Sequence, residues 1–280
     1  MSDNAMIQIR GISKTYISAN GAVKALAPID LDINESEFVS VVGPSGCGKS
    51  TLLMLISGLL KPSTGTIRIN DGLVNKPYTN LGFVFQRDVL LEWRNVLDNV
   101  LLQVEIRHMK RSDYEQRAIS LLTGVGLGEF TKRFPNELSG GMAQRVSICR
   151  ALLHDPPLLL MDEPFGALDA ITRDQMNLDL ERIWEQSRKT VIFITHSVPE
   201  AIFLSDRVLV MSKRPGHIVE IIPIELSRPR KLAIREAPEF IQYNRRIREI
   251  FRAQGILVEE EQNDEELTNI NQDSSMPMDF

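Results

Sequence analysis

Cysteine is scarce in this sequence, as are long apolar segments and any excess of positive charge. Only Cys47 and Cys149 occur among 280 residues, which is too few for a disulfide framework, and they lack the spacing of a metal site. The longest apolar runs, such as residues 158–161, fall far short of the ~20 residues that a membrane-spanning helix requires, and no secretory signal pattern is present. We therefore expect a soluble protein of the reducing cytoplasm.

The net charge of -5 argues against a broad nonspecific nucleic-acid surface, which needs a basic stripe to displace phosphate counterions. Much of the acidity is local, because residues 257–280 contain eight carboxylates and no Lys or Arg. This composition predicts a solvated, largely disordered tail. A tail that binds a partner or regulates the protein is the alternative.

The remaining sequence alternates short β-rich runs with helical stretches, a pattern typical of a mostly parallel sheet covered by helices. Four runs are apolar enough to form central strands buried on both faces: residues 38–42, 81–85, 158–161 and 190–194. Between residues 87 and 153 the β-character disappears, which indicates a helical insert. Residues 237–253 predict one docked C-terminal helix, with Pro238 in its first turn.

Polar residues follow these strands closely, at the edge where open α/β sheets bind ligands. Gly43 follows the first run directly, Gln86 the second, and the pair Asp162 and Glu163 the third, while His196 lies one residue beyond the fourth. The sequence therefore predicts a ligand site at this edge.

The first motif fits the P-loop pattern and follows a predicted strand. Its members are Gly43, Pro44, Ser45, Gly46, Cys47, Gly48, Lys49, Ser50 and Thr51. Glycines let successive N–H groups point at phosphate oxygens, and the next helix adds its positive end. We expect that helix to be apolar on most faces through Leu59 and Leu60, and alkylation of Cys47 to block the loop. The alternative is a glycine-rich turn without a ligand.

Two adjacent carboxylates end the strand at residues 158–161. Asp162 is suited to hold Mg²⁺, as the corresponding aspartate does in P-loop enzymes, which leaves Glu163 to activate the attacking water. An adjacent Asp-Glu pair is by itself typical of a solvated turn, and a single histidine such as His196 is more often structural. The position of all three at strand ends favours the functional interpretation.

A second phosphate-binding loop is indicated by Ser139, Gly140 and Gly141, which run into a helix containing Gln144. A hydroxyl, free N–H groups and a helix N-terminus are the features that bind phosphate. One nucleotide does not need two such loops on one chain.

With the preceding motifs, this signature segment resembles the ATPases of ATP-binding-cassette (ABC) transporters, from about residue 7 to about residue 251. The resemblance implies an α/β P-loop NTPase: a RecA-like, mostly parallel sheet with an antiparallel β N-terminal part and an inserted helical subdomain. The domain boundaries that we predict are 1–86 with 154–225 for the ATP-binding core, 87–153 for the helical subdomain, 226–256 for a C-terminal helical extension and 257–280 for the acidic tail.

The resemblance also implies ATP and Mg²⁺ as cofactors and assigns residue roles. Glu163, His196 and Gln86 become catalytic, and Mg²⁺ is assigned to Ser50, Gln86 and Asp162. Tyr16 matches the aromatic that stacks on adenine, although an ordinary strand-edge tyrosine is the alternative. Asp169 matches the loop that links two active sites, and Ser139, Gly140, Gly141 and Gln144 face the nucleotide of a partner subunit.

Residues 86–100, 167–173 and 205–212 look like the ATPases of nitrate, sulfonate and taurine importers. This implies transmembrane permease subunits, a second ATPase subunit that is identical or closely homologous, an indirectly acting solute-binding protein, no nucleic acid, and a peripheral position on the cytoplasmic face of the membrane. A soluble ABC-type ATPase of iron–sulfur assembly stays open as an alternative. DNA-linked types need long coiled coils, for which residues 87–153 are too few.

An apolar patch formed by Val89, Leu90, Leu91 and Trp93 follows Gln86. If this patch is exposed, it could receive a short helix of the permease. If it is buried, it fills the core of the helical insert. The sequence leaves both interpretations open.

Overall fold

Two sheets organise the described chain, which comprises residues 5–18 and 21–257 of a computed structural model. The first sheet is antiparallel and has the order β2-β1-β4-β5. Its strands are β1 (Ala5–Ser18), β2 (Gly21–Asn34), β4 (Thr64–Ile69) and β5 (Gly72–Leu73). The expected antiparallel N-terminal part is therefore confirmed.

The second sheet is mostly parallel and has the order β10-β9-β3-β8-β7-β6. Its strands are β3 (Phe38–Val42), β6 (Leu81–Val84), β7 (Leu158–Asp162), β8 (Thr190–Ile194), β9 (Arg207–Met211) and β10 (Ile218–Pro223), of which β10 alone is antiparallel to its neighbour among the described strands. The prediction that residues 81–85 form a central strand was wrong. This strand lies at the sheet edge, and Leu81 and Phe83 are only half-buried, because an apolar run does not specify how many neighbours a strand has.

Side chains alternate between two cores across this sheet. On one face, Val39 and Val41 pack with the antiparallel sheet and with α1 (Lys49–Ile56). On the other face, Phe38 and Phe193 pack against α5 (Ala170–Ser187) and α6 (Val198–Leu204). Both faces are therefore covered, as a parallel sheet requires.

Helix α1 is shorter than the sequence predicts, and a smaller part of its circumference is apolar and buried. It ends at Ile56, and Met54 is 40% exposed. Leu59, in the following turn, is 58% exposed. The helix buries one broad face against the sheet; beyond it Leu59 faces solvent, whereas Leu60 is partly buried against the same core.

The helical insert has a core of its own. It contains α2 (Val96–Ile106), α3 (Arg111–Gly124) and α4 (Gly140–Leu152), as the loss of β-character predicts. Val100, Leu122 and Val146, one from each helix, are fully buried together. Helix α4 also lies against β6, where a Cβ atom on Gly82 would be 2.5 Å from the carbonyl oxygen of Ala151. The signature helix is thereby joined to the sheet edge.

The C-terminal helix is α7 (Pro238–Ala253), docked through Phe240, Ile247 and Phe251, which confirms the single docked helix. Ile241 is 49% exposed and does not belong to that apolar face. The predicted acidic tail lies outside the described residues beyond Leu257. Within residues 5–18 and 21–257, no helix is both long and apolar enough to span a membrane.

Candidate functional site

The glycine-rich loop between β3 and α1 curls around a buried lysine. Gly46 and Gly48 have φ angles of +72° and +111°, a region that glycine adopts without steric strain. A Cβ atom at Gly48 would lie 2.6 Å from the side chain of Leu26, so a larger residue does not fit. Lys49 is 5% exposed, and its ammonium donates to two carbonyls of the same loop at 2.9 and 3.2 Å. The loop thus holds a positive charge at the N-terminus of α1.

A hydroxyl from the first turn of α1 and a carboxylate from the end of β7 meet beside this loop. Ser50 Oγ donates to Asp162 Oδ1 at 3.0 Å. Burial raises the pKa of Asp162, and the adjacent charge of Glu163 raises it further, while the Ser50 hydrogen bond opposes both effects. A cation at this position would relieve that penalty. Paired oxygen ligands are what Mg²⁺ prefers, so these two residues fit the predicted ion.

The Glu163 carboxylate, at the end of β7, contacts side chains that follow three other strands of the same sheet. Its Oε2 accepts from Gln86 Nε2 at 3.2 Å and lies 3.5 Å from His196 Nδ1, while its Oε1 lies 3.8 Å from Lys49 Nζ. Its own backbone has a φ of 46°, which is unusual for a glutamate, and its N–H donates to the Ile194 carbonyl on β8. The structure therefore brings all the predicted catalytic residues together around one carboxylate.

The cavity over the glycine-rich loop has a volume of about 340 Å³. It is lined by Tyr16, Val23, Ala25, Ser45, Gly46, Gly48, Lys49, Ser50, Thr51, Glu163 and Arg214. Tyr16 is 41% exposed, and its hydroxyl lies 3.3 Å from Thr51 Oγ1. A partly exposed ring at the rim is available for stacking on a flat ligand.

Sequence reasoning missed three lining residues, Val23, Ala25 and Arg214, of which only Arg214 is charged. Its Nε and Nη2 donate to the Gly46 carbonyl at 3.0 and 2.8 Å, which adds a second cation to the loop. The available signal was topological: Arg214 follows β9, and β9 is hydrogen-bonded to β3. Its position after a strand end was the same cue that identified His196.

The signature segment lies elsewhere on the described surface. Ser139 caps α4, its Oγ accepting from Met142 N at 3.3 Å, and both Ser139 and Gly140 are exposed. A Cβ atom at Gly141 would be 2.6 Å from the side chain of Thr172. Asp169 caps α5 by accepting from Thr172 N at 3.0 Å, and hydrogen bonding with the side chain and then the backbone N–H of Thr172 lowers the pKa of Asp169. The signature segment and Asp169 are therefore neighbours, since both contact Thr172. Neither lines the described cavity.

Two predicted contacts need correction. Gln144 is 4% exposed, so its side chain is not available to a nucleotide in this conformation. Cys47 is 1% exposed and packs in the core, where burial raises the pKa of its thiol. The Cys47 side chain does not line the cavity, so its burial argues against the expected alkylation block. In both cases a motif position alone does not tell which way a side chain points.

Comparison with known proteins places this geometry among nucleotide-binding cassettes. Residues 26–166 match the family description "ABC transporter". The sequence is 47% identical over 251 residues to the taurine import ATP-binding protein of Rhizobium johnstonii, covering 88% of this chain and 96% of the relative. It is 43% identical over 242 residues to a bicarbonate transport ATP-binding protein of Synechocystis, covering 85% and 86%.

A solved structure supports the fold. The dimeric post-hydrolysis state of an ATP-binding cassette bound to ADP and Pi superposes with a TM-score of 0.71 at 33% identity, covering 79% of this chain and all of that one. The predicted α/β P-loop NTPase architecture is confirmed.

The burial of Cys47 yields a test. We expect its thiol to react with iodoacetamide at least ~100-fold more slowly than an exposed thiol, since only an accessible thiolate is nucleophilic. The matched control is Ser45→Cys, at an exposed position of the same loop, which should be alkylated rapidly and protected by ATP. Mass spectrometry of the native protein measures both rates. Rapid, ATP-sensitive labelling of Cys47 would contradict the orientation described above.

Proposed function

This chain belongs to the ABC transporter family, and on that basis we propose that it is the ATP-hydrolysing subunit of an importer for a small solute such as taurine, a sulfonate, bicarbonate or nitrate. Two ATPase subunits act together on the cytoplasmic face of the membrane beneath the permease subunits, to which a solute-binding protein delivers the solute. The observation that carries this proposal is the separation of two phosphate-binding loops on one chain.

The cavity beside Lys49 would hold the triphosphate. Lys49 and Arg214 supply positive charge, the loop amides bind phosphate oxygens, and Tyr16 stacks on adenine. Ser50 and Asp162 would hold Mg²⁺ with Gln86 at its side; when bound, the ion neutralises phosphate charge. The 3.0 Å contact between Ser50 and Asp162 supports this assignment, because both oxygens already face the same point.

Glu163 is the base in this scheme. Its carboxylate is 21% exposed at the cavity wall, and Lys49 supplies a positive charge on one side while Gln86 and His196 contact it on the other. A carboxylate held from several directions keeps one orientation toward an attacking water. His196, which is 53% exposed, is accessible to the terminal phosphate from the cavity edge.

A second subunit would complete the site. Ser139 and Gly140 are exposed at the N-terminus of α4, which favours anions, yet the described cavity of their own chain does not include them. If two chains meet face to face, each signature segment covers the ATP of the other. Asp169, beside the signature, would then line the same interface.

A groove of about 810 Å³ next to Gln86 would receive the permease. Its apolar wall includes Phe83 and Phe85, whose rings stack with centroids 4.3 Å apart, and Leu91. Val89 and Trp93 are 54% and 74% exposed. Leu90, in contrast, is buried in the core of the insert. The apolar patch predicted from the sequence is thus divided: Leu90 fills the core of the insert, and the exposed residues are available to a permease helix. An exposed aromatic beside a groove is a typical anchor for a partner helix.

The first prediction concerns the base. Glu163→Gln keeps the shape of the side chain but cannot accept a proton, so we expect ATP turnover to fall by about 10²–10⁴-fold while ATP binding persists and ATP-bound dimers accumulate. Phosphate release and size-exclusion chromatography measure these effects. Glu239→Gln, an exposed carboxylate on α7, is the control and should keep parental turnover. Parental turnover in Glu163→Gln would refute the role.

The second prediction concerns the signature segment. Ser139→Phe should lower turnover by roughly tenfold or more, because it removes the cap and places bulk where a partner's phosphates would bind. ATP binding to the separate subunit should be unchanged, since Ser139 does not line the described cavity. Ser120→Phe, an exposed serine of the same insert, is the control. Full turnover by Ser139→Phe, or by a protein that stays monomeric, would contradict the sandwich.

The third prediction concerns coupling. Trp93→Ala should reduce ATP-driven solute uptake several-fold in vesicles that contain the permease and binding protein, while ATP binding to the ATPase alone persists. Phe134→Ala, a 43% exposed aromatic of the same insert outside the groove, should leave uptake unchanged. Trp93 lies two residues beyond Leu91 and does not itself line the groove, so equal uptake by Trp93→Ala and the parent would refute its role as an anchor beside the groove. Co-purification with soluble partners only would favour an assembly ATPase.

A further inference from the structure

An arginine-lined cleft of about 570 Å³ runs along the outer face of α7 and shares no described lining residue with the nucleotide cavity. Its cationic wall is a stripe formed by Arg245, Arg248 and Arg252, which we call the arginine stripe. Ile241 continues the same helical face toward the N-terminus, and Glu249 is the one described carboxylate in the lining.

Two members of the arginine stripe, Arg245 and Arg248, have no ion pair with a described carboxylate. Neighbouring arginines are paired: Arg246 with Glu220, and Arg235 with Asp174 at 2.5 Å. Arg245 and Arg248 are exposed, and neither forms an ion pair or hydrogen bond to any described residue. Like charges one turn apart destabilise a helix unless an anion lies between them. The cleft is therefore suited to a multiply charged, extended anion.

The chain itself supplies such an anion directly after the helix. Gly255 has a φ of +61°, and Ile256 N donates to the Phe251 carbonyl at 2.8 Å, so the chain turns at the end of α7. Acidic residues begin two positions after Leu257. They are Glu259, Glu260, Glu261, Asp264, Glu265 and Glu266, with no cation among them.

The lengths match. From Arg252 back to Ile241 the helix is about 17 Å long, at ~1.5 Å per residue. Six extended residues after Leu257 cover about 20 Å. A segment returning antiparallel to α7 would therefore place its first carboxylates beside the arginine stripe and Asn263 near Ile241.

We propose that residues 258–263 of the same chain dock in this cleft, with the carboxylates of Glu259, Glu260 and Glu261 paired to the arginine stripe. The contact is intramolecular and electrostatic. It covers the cationic face of α7 and makes the acidic segment part of the folded ATPase subunit.

Engineered disulfides in the full chain test the proposal, because the two native cysteines are each only 1% exposed and will not compete. Ile241→Cys combined with Asn263→Cys should form an intramolecular disulfide under mild oxidant. The control combines Gln242→Cys with Asn263→Cys, which moves the thiol about 100° around the helix. We expect the first pair to close at least about fivefold faster, an advantage that about 0.5 M NaCl abolishes through screening.

A second set of variants tests which arginines pair with the acidic segment. Arg245→Gln with Arg248→Gln, introduced beside the first cysteine pair, should slow closure to the rate of the control pair. Arg246→Gln, an adjacent arginine on another face, should leave the rate unchanged. Far-ultraviolet circular dichroism verifies that α7 persists in each variant.

Three results would overturn the proposal. The first is equal closure by the two cysteine pairs, or closure insensitive to salt and to Arg245 and Arg248. The second is disulfide formation only between chains, rising with protein concentration, which would assign the cleft to a second copy. The third is binding of the full-length parent to phosphatidylglycerol vesicles that requires Arg245 and Arg248, which would assign the stripe to a membrane surface.

Discussion

The parallel alignment of β3, β7 and β8 is the constraint on which the nucleotide site depends. Because parallel strands end at one sheet edge, residues far apart in sequence meet there around Glu163. The main-chain bond from Glu163 N to the Ile194 carbonyl fixes the carboxylate across β7 and β8. A backbone φ of 46° is unfavourable for glutamate, and it persists because the surrounding strands determine it. The site is thus held mainly by sheet hydrogen bonds.

The helical insert connects this edge to the second phosphate-binding loop. Gly82 lets α4 approach β6 so closely that no Cβ atom would fit, and β6 leads directly to Gln86. Contacts therefore run from α4 through β6 to Gln86, whose amide contacts Glu163 at 3.2 Å. The same Gln86 borders the segment of Val89, which Arg150 of α4 holds through two main-chain carbonyls. Packing of one helix on one edge strand thus joins the Glu163 carboxylate, the signature segment and the groove.

The C-terminal part of the chain also reaches the phosphate loop. Lys213 donates to the Gly255 carbonyl at the end of α7, and the next residue, Arg214, donates twice to Gly46. Two consecutive cations therefore connect the helix that carries the arginine stripe with the loop that carries Lys49. Helix α7 is therefore connected to the nucleotide cavity through one short segment, which contains Lys213 and Arg214.

Local sequence by itself determined the glycine-rich loop, the strand before it, the carboxylate pair after β7, the helical insert and the docked α7, because each depends on residues adjacent along the chain. Tertiary structure alone decided that residues 81–84 form an edge strand, that Arg214 joins the loop, and that Gln144 and the Cys47 thiol point inward. It likewise divided the patch after Gln86 into a buried Leu90 and an exposed Trp93. Those outcomes depend on which strands neighbour each other and which face a helix buries, and long-range packing sets both.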